Sequence, residues 1–213
     1  MTAEDHVVFV VDDDARIREA LVDMLESYGI RAITFGSAGE YARAAKPEMT
    51  ACLVLDVELP DINGLDFQTQ IANAGHPPIV FITGHGSIPA SVRAIRHGAV
   101  DFLTKPFSDA DLMAAIRTAL ARDREERAAR DELGALRRRH ADLTPREREV
   151  LPLVISGLLN KQAAAELGIS EVTLQMHRRN VMQKMDAASL ADLVRMAEKL
   201  EIPLSGSRRA GGP

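Results

Sequence analysis

The chain has 213 residues, with 26 Lys and Arg against 31 Asp and Glu, and its formal net charge is −5. This length suits one or two domains, and the single cysteine, Cys52, excludes an internal disulfide and fits a reducing compartment. Because the sequence has neither 18 consecutive apolar residues nor a basic, apolar leader, we expect a cytoplasmic protein that does not enter a membrane.

The charge is divided unevenly between the two halves of the chain. Residues 1–120 carry 9 Lys and Arg against 17 Asp and Glu, a net charge of −8. Residues 121–213 carry 17 against 14, a net charge of +3. This asymmetry favours an acidic module joined to one that meets nucleic acid.

Four short apolar runs in the first half are each followed by polar residues. The runs cover 6–11, 52–55, 79–82 and 100–103. Continuous apolar runs separated by helical patterns are typical of strands buried on both faces of a parallel sheet, and ligands bind at the carboxyl ends of such strands. We therefore expect the side chains that follow the runs to share one pocket: Asp12, Asp13, Asp56, Thr83 and Lys105.

Helical patterns alternate with these runs. A helix is predicted from Ala15 to Tyr28, ending at Gly29, and Ser37 with Glu40 predicts a capping box for the next helix. Further helices are predicted over 64–72 and 88–97, the latter opening after Ser87. Strand and helix thus alternate five times, which predicts an α/β fold: a flavodoxin-like, doubly wound, parallel five-stranded sheet with right-handed crossovers.

The chemistry of the predicted pocket is narrow. Clustered carboxylates repel each other unless a hard cation binds them, and oxygen ligands of this kind suit Mg²⁺. An aspartate can also attack phosphorus and form an acyl phosphate. We interpret Asp56 as this nucleophile because it ends the predicted central strand, with Asp12 and Asp13 as metal ligands.

A helix that opens at Ser108 keeps an apolar stripe to about Ala121, and a highly charged segment follows over 122–141. Opposite charges four residues apart, such as Asp123 with Arg127, predict that this segment continues as a helix. One interpretation is a solvated linker helix, and the other is a dimerising helix that uses Leu133 and Leu136. We favour the linker because 122–132 lacks a heptad seam.

The second module begins at a strong helix start formed by Thr144, Pro145 and Glu147. Helices on either side of glycine-bearing turns at 157–160 and Gly168 predict a helix-turn-helix, and a fourth amphipathic helix follows. The predicted division is a first domain over 1–121, a linker over 122–141, an all-α four-helix domain over 142–202 and a disordered tail over 203–213.

The third helix of this module has two distinct faces. At about 100° per residue, Leu174, Val181 and Met185 fall together and should pack inward, with His177 and Arg178 alongside. The opposite side combines apolar and polar side chains that suit the major groove, where Arg reads guanine, Gln reads adenine and apolar atoms touch thymine methyls. The base-contact candidates are Gln175, Met176, Arg179 and Gln183.

The first half resembles the receiver domain of two-component response regulators, through VVDDD at 10–14, LVLDVELPDINGLDF at 53–67, ITGHG at 82–86 and DFLTKPF at 101–107. The resemblance implies that Asp56 accepts phosphate from a histidine kinase. It implies Mg²⁺ ligands in Asp13, Asp56 and the Glu58 carbonyl, with Asp12 acting largely through water. Lys105 would pair with the phosphoryl group through a loop that contains a cis Lys105-Pro106 bond. Thr83 and Phe102 would be the switch residues.

The second half resembles the LuxR-type DNA-binding domain, through LTPREREVL at 143–151, GLLNKQAAAELGIS at 157–170 and TLQMHRRNVMQKM at 173–185. The whole chain is thus similar to FixJ-type response regulators, which implies a sensor histidine kinase, promoter DNA and RNA polymerase as partners, and a homodimer on phosphorylation. Two departures are Leu174-Gln175, where the family usually has Val-Lys, and Pro152, which should bend the first helix. The resemblance adds these residues to the DNA contacts: Lys161, Thr173, His177 and Arg178.

Other interpretations remain open from the sequence alone. Asp13 or Asp14 taken singly is an ordinary helix cap, and His177 an ordinary core histidine. A phosphatase that works through an aspartyl phosphate would need a second aspartate two positions after Asp56, where this chain has Glu58. The chain could instead be a receiver-linked interaction module or a constitutive transcription factor. Within the receiver interpretation, family analogy makes Glu58 and His85 candidates for tuning dephosphorylation.

Overall fold

A computed structural model of the chain describes residues 6–72 and 75–205. The chain divides into two compact units between Arg127 and Ala128. Of the tail predicted to be disordered, 206–213 lie outside the described residues, whereas the Ser205 amide donates a hydrogen bond of 2.8 Å to the Ser156 hydroxyl. No helix in the described ranges is both long enough and apolar enough to cross a bilayer.

The first unit contains a parallel five-stranded sheet. Its strands are β1 (His6–Val11), β2 (Arg31–Phe35), β3 (Thr50–Asp56), β4 (Ile79–Thr83) and β5 (Asp101–Thr104). Their order across the sheet is β2-β1-β3-β4-β5, and every neighbouring pair is parallel. Strand β3 is central, so the prediction that Asp56 ends the central strand is confirmed.

Helices cover both faces of this sheet, as the apolar runs predict. They are α1 (Ala15–Ser27), α2 (Ala38–Arg43), α3 (Gly64–Ile71), α4 (Ile88–Arg96) and α5 (Asp109–Ala141). Side chains of β1 and β3 alternate between two separate cores because successive residues of a strand point to opposite faces. One core contains Phe9 and Leu53, and the other contains Val8, Val54 and the buried Cys52.

The start of α2 differs from its prediction. The Ser37 hydroxyl accepts a hydrogen bond from the Glu40 amide, at 3.2 Å, as expected for an N-cap. The Glu40 carboxylate, however, accepts from the amide of Gly36, at 2.7 Å, and not from that of Ser37. The predicted capping box is therefore wrong in its second half, because the carboxylate reaches one residue further back along the chain.

The predicted helical connector is confirmed as the continuation of α5, but one residue of its first turn, Asp123, is buried. Asp123 is only 1% exposed. Its carboxylate accepts a hydrogen bond of 2.8 Å from the amide of Ala51 in β3 and another of 2.7 Å from Arg127. The helix therefore remains attached to the sheet beyond the predicted domain end at residue 121.

The described part of the second unit contains α6 (Pro145–Ile155), α7 (Asn160–Leu167), α8 (Glu171–Met185) and α9 (Leu190–Lys199). The capping box of Thr144 and Glu147 is confirmed, and Gly168 ends α7 in the left-handed conformation that its turn requires. Pro152 lies inside α6, which continues to Ile155, and the bend predicted there stays a prediction. This unit has one apolar core, which includes Leu151, Leu174 and Leu193.

Candidate functional site

Three carboxylates lie together at the carboxyl edge of the sheet. Ligand atoms of Asp12, Asp13 and Asp56 all lie within 4.8 Å of one another. Asp12 is 0% exposed and Asp56 is 4% exposed, whereas Asp13 is exposed. Asp12 and Asp13 follow β1, Asp56 ends β3, and these strands are neighbours, which is why the sequence brings the three groups together.

Lys105 bridges the two buried carboxylates. Its ammonium Nζ lies 2.7 Å from Oδ2 of Asp12 and 2.7 Å from Oδ2 of Asp56. The second oxygen of each carboxylate accepts a backbone hydrogen bond, from Asp14 to Asp12 at 2.9 Å and from Glu58 to Asp56 at 3.1 Å. These contacts hold both carboxylates in fixed orientations.

The charges of this cluster are strongly coupled. Burial raises the pKa of Asp12, although hydrogen bonds from Lys105 and the Asp14 amide oppose that shift. Burial alone would lower the pKa of Lys105, but hydrogen bonds to Asp12 and Asp56 raise it. The Arg18 guanidinium also donates to the backbone carbonyls of Asp12 and Asp13, at 2.6 and 2.9 Å. Even so, two cations do not balance three carboxylates, and the remaining negative charge and the oxygen ligands fit a hard divalent cation such as Mg²⁺.

A glycine lets the chain pass close to Asp56. A Cβ atom on Gly64 would overlap the backbone carbonyl oxygen of Asp56, so only glycine fits there. The preceding residue, Asn63, caps α3 by accepting a hydrogen bond of 3.0 Å from the Leu65 amide. On the other side of the cluster the Lys105-Pro106 bond is cis, as the resemblance implies.

The two candidate switch residues lie on neighbouring strands β4 and β5. Thr83 is 0% exposed, and its hydroxyl oxygen accepts a hydrogen bond of 3.1 Å from the His85 amide. Phe102 is half-buried, with its ring centroid 6.1 Å from that of Phe81. A Cβ atom on Gly86 would overlap the Thr104 methyl group, so the loop after β4 packs tightly against the end of β5.

Glu58 and His85 form an exposed pair near the acidic cluster. The His85 Nδ1 atom lies 3.2 Å from a carboxylate oxygen of Glu58. Glu58 is two residues after Asp56, and the Glu58 amide binds the Asp56 carboxylate. The contact therefore links the loop after β3 to the loop after β4.

Helix α8 divides as its sequence predicts. Leu174, Val181 and Met185 are each 0% exposed. The opposite side is open, and all four predicted base-contact residues are exposed there: Gln175, Met176, Arg179 and Gln183.

The other DNA candidates have mixed surroundings. Lys161 is exposed, and the Thr173 hydroxyl lies 2.8 Å from that of Ser170. The Arg178 guanidinium donates a hydrogen bond of 3.0 Å to the side chain of Asn160. In the described part of the chain, the buried Nδ1 atom of His177 has no hydrogen-bond partner.

Sequence reasoning missed several residues on which the sites depend. The sequence does not indicate that Asp123 is buried, because a helical ion pair with Arg127 is already a sufficient reason for a carboxylate at that position. Gly64 and Gly86 lie inside motifs that carry the receiver resemblance, but their close contacts become visible only once the strands are assembled. Asn160, which accepts the hydrogen bond from Arg178, falls in a predicted turn, and nothing in the sequence indicates this contact.

Two family models match the chain. The response regulator receiver domain matches residues 8–117, and the luxR family of bacterial regulatory proteins matches residues 141–197. The two models cover the sheet unit and the helix-turn-helix, respectively.

Known proteins of similar length resemble the whole chain. Nodulation protein W of Bradyrhizobium diazoefficiens is 50% identical over 197 residues, which span 92% of this chain and 87% of that protein. Transcriptional regulatory protein FixJ of Azorhizobium caulinodans is 44% identical over 191 residues, 89% of this chain and 90% of that protein. A solved structure of the response regulator StyR has a TM-score of 0.82 and 46% identity, and the match covers 92% of this chain and 99% of that one.

Proposed function

Since the chain belongs to the response regulators that join a receiver domain to a LuxR-type DNA-binding domain, we propose that phosphorylation of Asp56 controls its binding to DNA. The observation that carries this proposal is the arrangement of Asp56 beside Asp12, Asp13 and Lys105. The sensor histidine kinase is the proposed donor.

Asp56 is suited to accept a phosphoryl group. One of its carboxylate oxygens forms the new bond to phosphorus, while the bond between phosphorus and the donor nitrogen of the kinase histidine breaks. Lys105 already contacts Asp56, and its ammonium can pair with the negatively charged phosphoryl group once Asp56 carries it. Asp12, Asp13, Asp56 and the Glu58 carbonyl would hold Mg²⁺, which when bound supplies positive charge to the phosphoryl oxygens.

The switch is proposed to run through Thr83 and Phe102. In this structure the Thr83 hydroxyl accepts from the His85 amide, and on phosphorylation it would instead donate to a phosphoryl oxygen on Asp56. Movement of Thr83 would leave room for the half-buried Phe102 to turn inward. The new contacts exist only in the phosphorylated state, which is the condition for a shift between two conformations. Glu58 and His85 are the proposed tuning residues for dephosphorylation.

Helix α4 offers a surface for a homodimer. Ile88, Val92 and Ile95 follow one another at helical spacing and are 81%, 42% and 49% exposed. The free energy falls when a second copy covers an apolar stripe of this kind and removes it from water. We propose that phosphorylation favours this dimer, because α4 directly follows the loop that contains His85 and Gly86.

The second unit is the proposed reader of promoter DNA. Gln175, Met176, Arg179 and Gln183 would face base edges, and Lys161, Thr173, His177 and Arg178 would contact the phosphate backbone or position the helix. Two such units in a dimer would bind paired half-sites and could then recruit RNA polymerase. The proposed boundaries are 1–121 for the receiver, 122–141 for the linker and 142–202 for the DNA-binding domain.

Footprints of the full-length protein on its genome test this function. We expect the wild type to occupy discrete sites under inducing conditions and the Asp56→Asn variant to lose them. Asp23→Asn, which changes an exposed carboxylate of the same unit, is the matched control and should retain occupancy. Equal occupancy by wild type and Asp56→Asn would refute the switch and favour a constitutive regulator. Absence of footprints in both would favour a protein-interaction module.

A further inference from the structure

Val172 is an exposed apolar residue in the first turn of α8. Its side chain is 77% exposed, although α8 buries other apolar residues completely, such as Leu174 two positions later. Met176, which is 53% exposed, lies four residues further on and therefore on the same side of the helix. Single exposed apolar residues are common on protein surfaces, but these two are neighbours on one face.

The pair lies within the arc that is proposed to face base edges. At about 100° per residue, Val172 falls near the middle of the arc that Gln175, Met176 and Arg179 define. The buried residues Leu174 and Val181 lie on the opposite side. A helix that inserts this arc into a groove would thus bring Val172 and Met176 against base edges together with its polar readers.

Apolar side chains can recognise few of the groups on a base edge. In the major groove the apolar group is the ring methyl of thymine, and every other distinguishing feature is a hydrogen-bond donor or acceptor. The N-terminal part of a recognition helix lies closest to the bases, which is where Val172 stands. The cations of α8 outnumber Glu171, its sole carboxylate, and this charge suits a phosphate-lined groove better than an apolar protein surface.

We infer that Val172 and Met176 form a contact for thymine methyl groups, so that the DNA site must present thymine where these side chains reach. This inference rests on the proposed DNA-binding function. It adds that the DNA site must contain thymine at particular positions. Val172 thereby joins the base-reading residues.

Replacement of thymine by deoxyuridine tests the inference, because it removes only the methyl group. The probes are duplexes selected from a random pool by the full-length protein, and their affinities are measured by fluorescence anisotropy at one salt concentration. With the wild type, deoxyuridine at one or two positions should weaken binding about fourfold each, the ratio expected for one buried methyl-sized group. Val172→Ala and Met176→Ala should each lose this discrimination at one position. Arg179→Ala, on the same arc, should lower the affinity for both duplexes but retain the ratio between thymine and deoxyuridine.

The outcomes separate this inference from the function beneath it. If the wild type binds the thymine and deoxyuridine forms of the selected duplexes equally well, the methyl contact is overturned and DNA binding stands. Discrimination that survives in both Val172→Ala and Met176→Ala would overturn the assignment to these residues. Failure to select any duplex would overturn the DNA-binding function itself. Because both side chains are exposed, circular dichroism should show unchanged folding of both variants.

Discussion

The carboxylate of Asp123 in α5 accepts a hydrogen bond of 2.8 Å from the backbone amide of Ala51, although the two residues are 72 positions apart. Ala51 lies near the start of β3, whose other end is Asp56. A buried amide that loses its partner is costly, so this contact anchors the long helix to the central strand.

We expect Asp123→Ala to destabilise the sheet unit by about 1–3 kcal/mol, because the Ala51 amide would be left unsatisfied. The two tyrosines of the chain, Tyr28 and Tyr41, both lie in this unit, so tyrosine fluorescence during urea unfolding reports on it alone. The exposed Glu125→Ala is the control and should change stability by less than about 0.5 kcal/mol. An unchanged exchange rate of the Ala51 amide in Asp123→Ala would contradict the anchoring role.

Gly86→Ala should be destabilising because its methyl group would overlap the Thr104 methyl. Overpacking of this kind costs about 1–3 kcal/mol. Thr104→Ser removes the overlapped methyl and should restore most of the loss in the double variant. Additive effects of the two substitutions in urea unfolding would mean that the groups do not meet.

Glu147 and Lys184 should make the second unit sensitive to acid. Burial alone would raise the pKa of Glu147, but hydrogen bonds from Lys184 and Thr144 lower it from 4.5 to about 2. A lowered pKa means that the ionised carboxylate stabilises the fold above pH 4.5, and that this stability is lost as the pH falls towards 2.

Thermal unfolding between these pH values, followed by circular dichroism, measures this effect. Glu147→Gln should unfold with less dependence on pH than the wild type over this interval. Glu149→Gln, which alters a half-exposed carboxylate paired with Arg146, is the control and should behave as the wild type does. Equal acid sensitivity of Glu147→Gln and wild type would rule out this ion pair as its source.

Lys105→Gln should slow phosphorylation of the full-length protein by about a hundredfold, the usual effect of removing one group that stabilises developing charge. The measurement is the initial rate of adduct formation with acetyl phosphate and Mg²⁺. Lys46→Gln is the control, since Lys46 belongs to the same unit but lies over the Tyr41 ring and away from the acidic cluster. An unimpaired rate in Lys105→Gln would remove this residue from the site.

The sequence predicts most of this site because Asp12, Asp56 and Lys105 each follow an apolar run, and parallel strands bring such ends together. It predicts β2 poorly, since that edge strand is half-buried and has no continuous apolar run. Asp123 could not be predicted, because a charged residue in a charged segment carries no mark of burial. The exposed arc of α8 is predictable from the helical period alone, since its buried and exposed residues lie on opposite faces of the helix.

Phosphorylation of Asp56 is the most direct test of the account. Full-length wild type and Asp56→Asn are incubated with acetyl phosphate, with Mg²⁺ or with a chelator, and analysed by intact mass and peptide mapping. We expect one phosphoryl adduct, located on Asp56, only in the wild type and only with Mg²⁺. An absent adduct, or one that persists in Asp56→Asn, would contradict it.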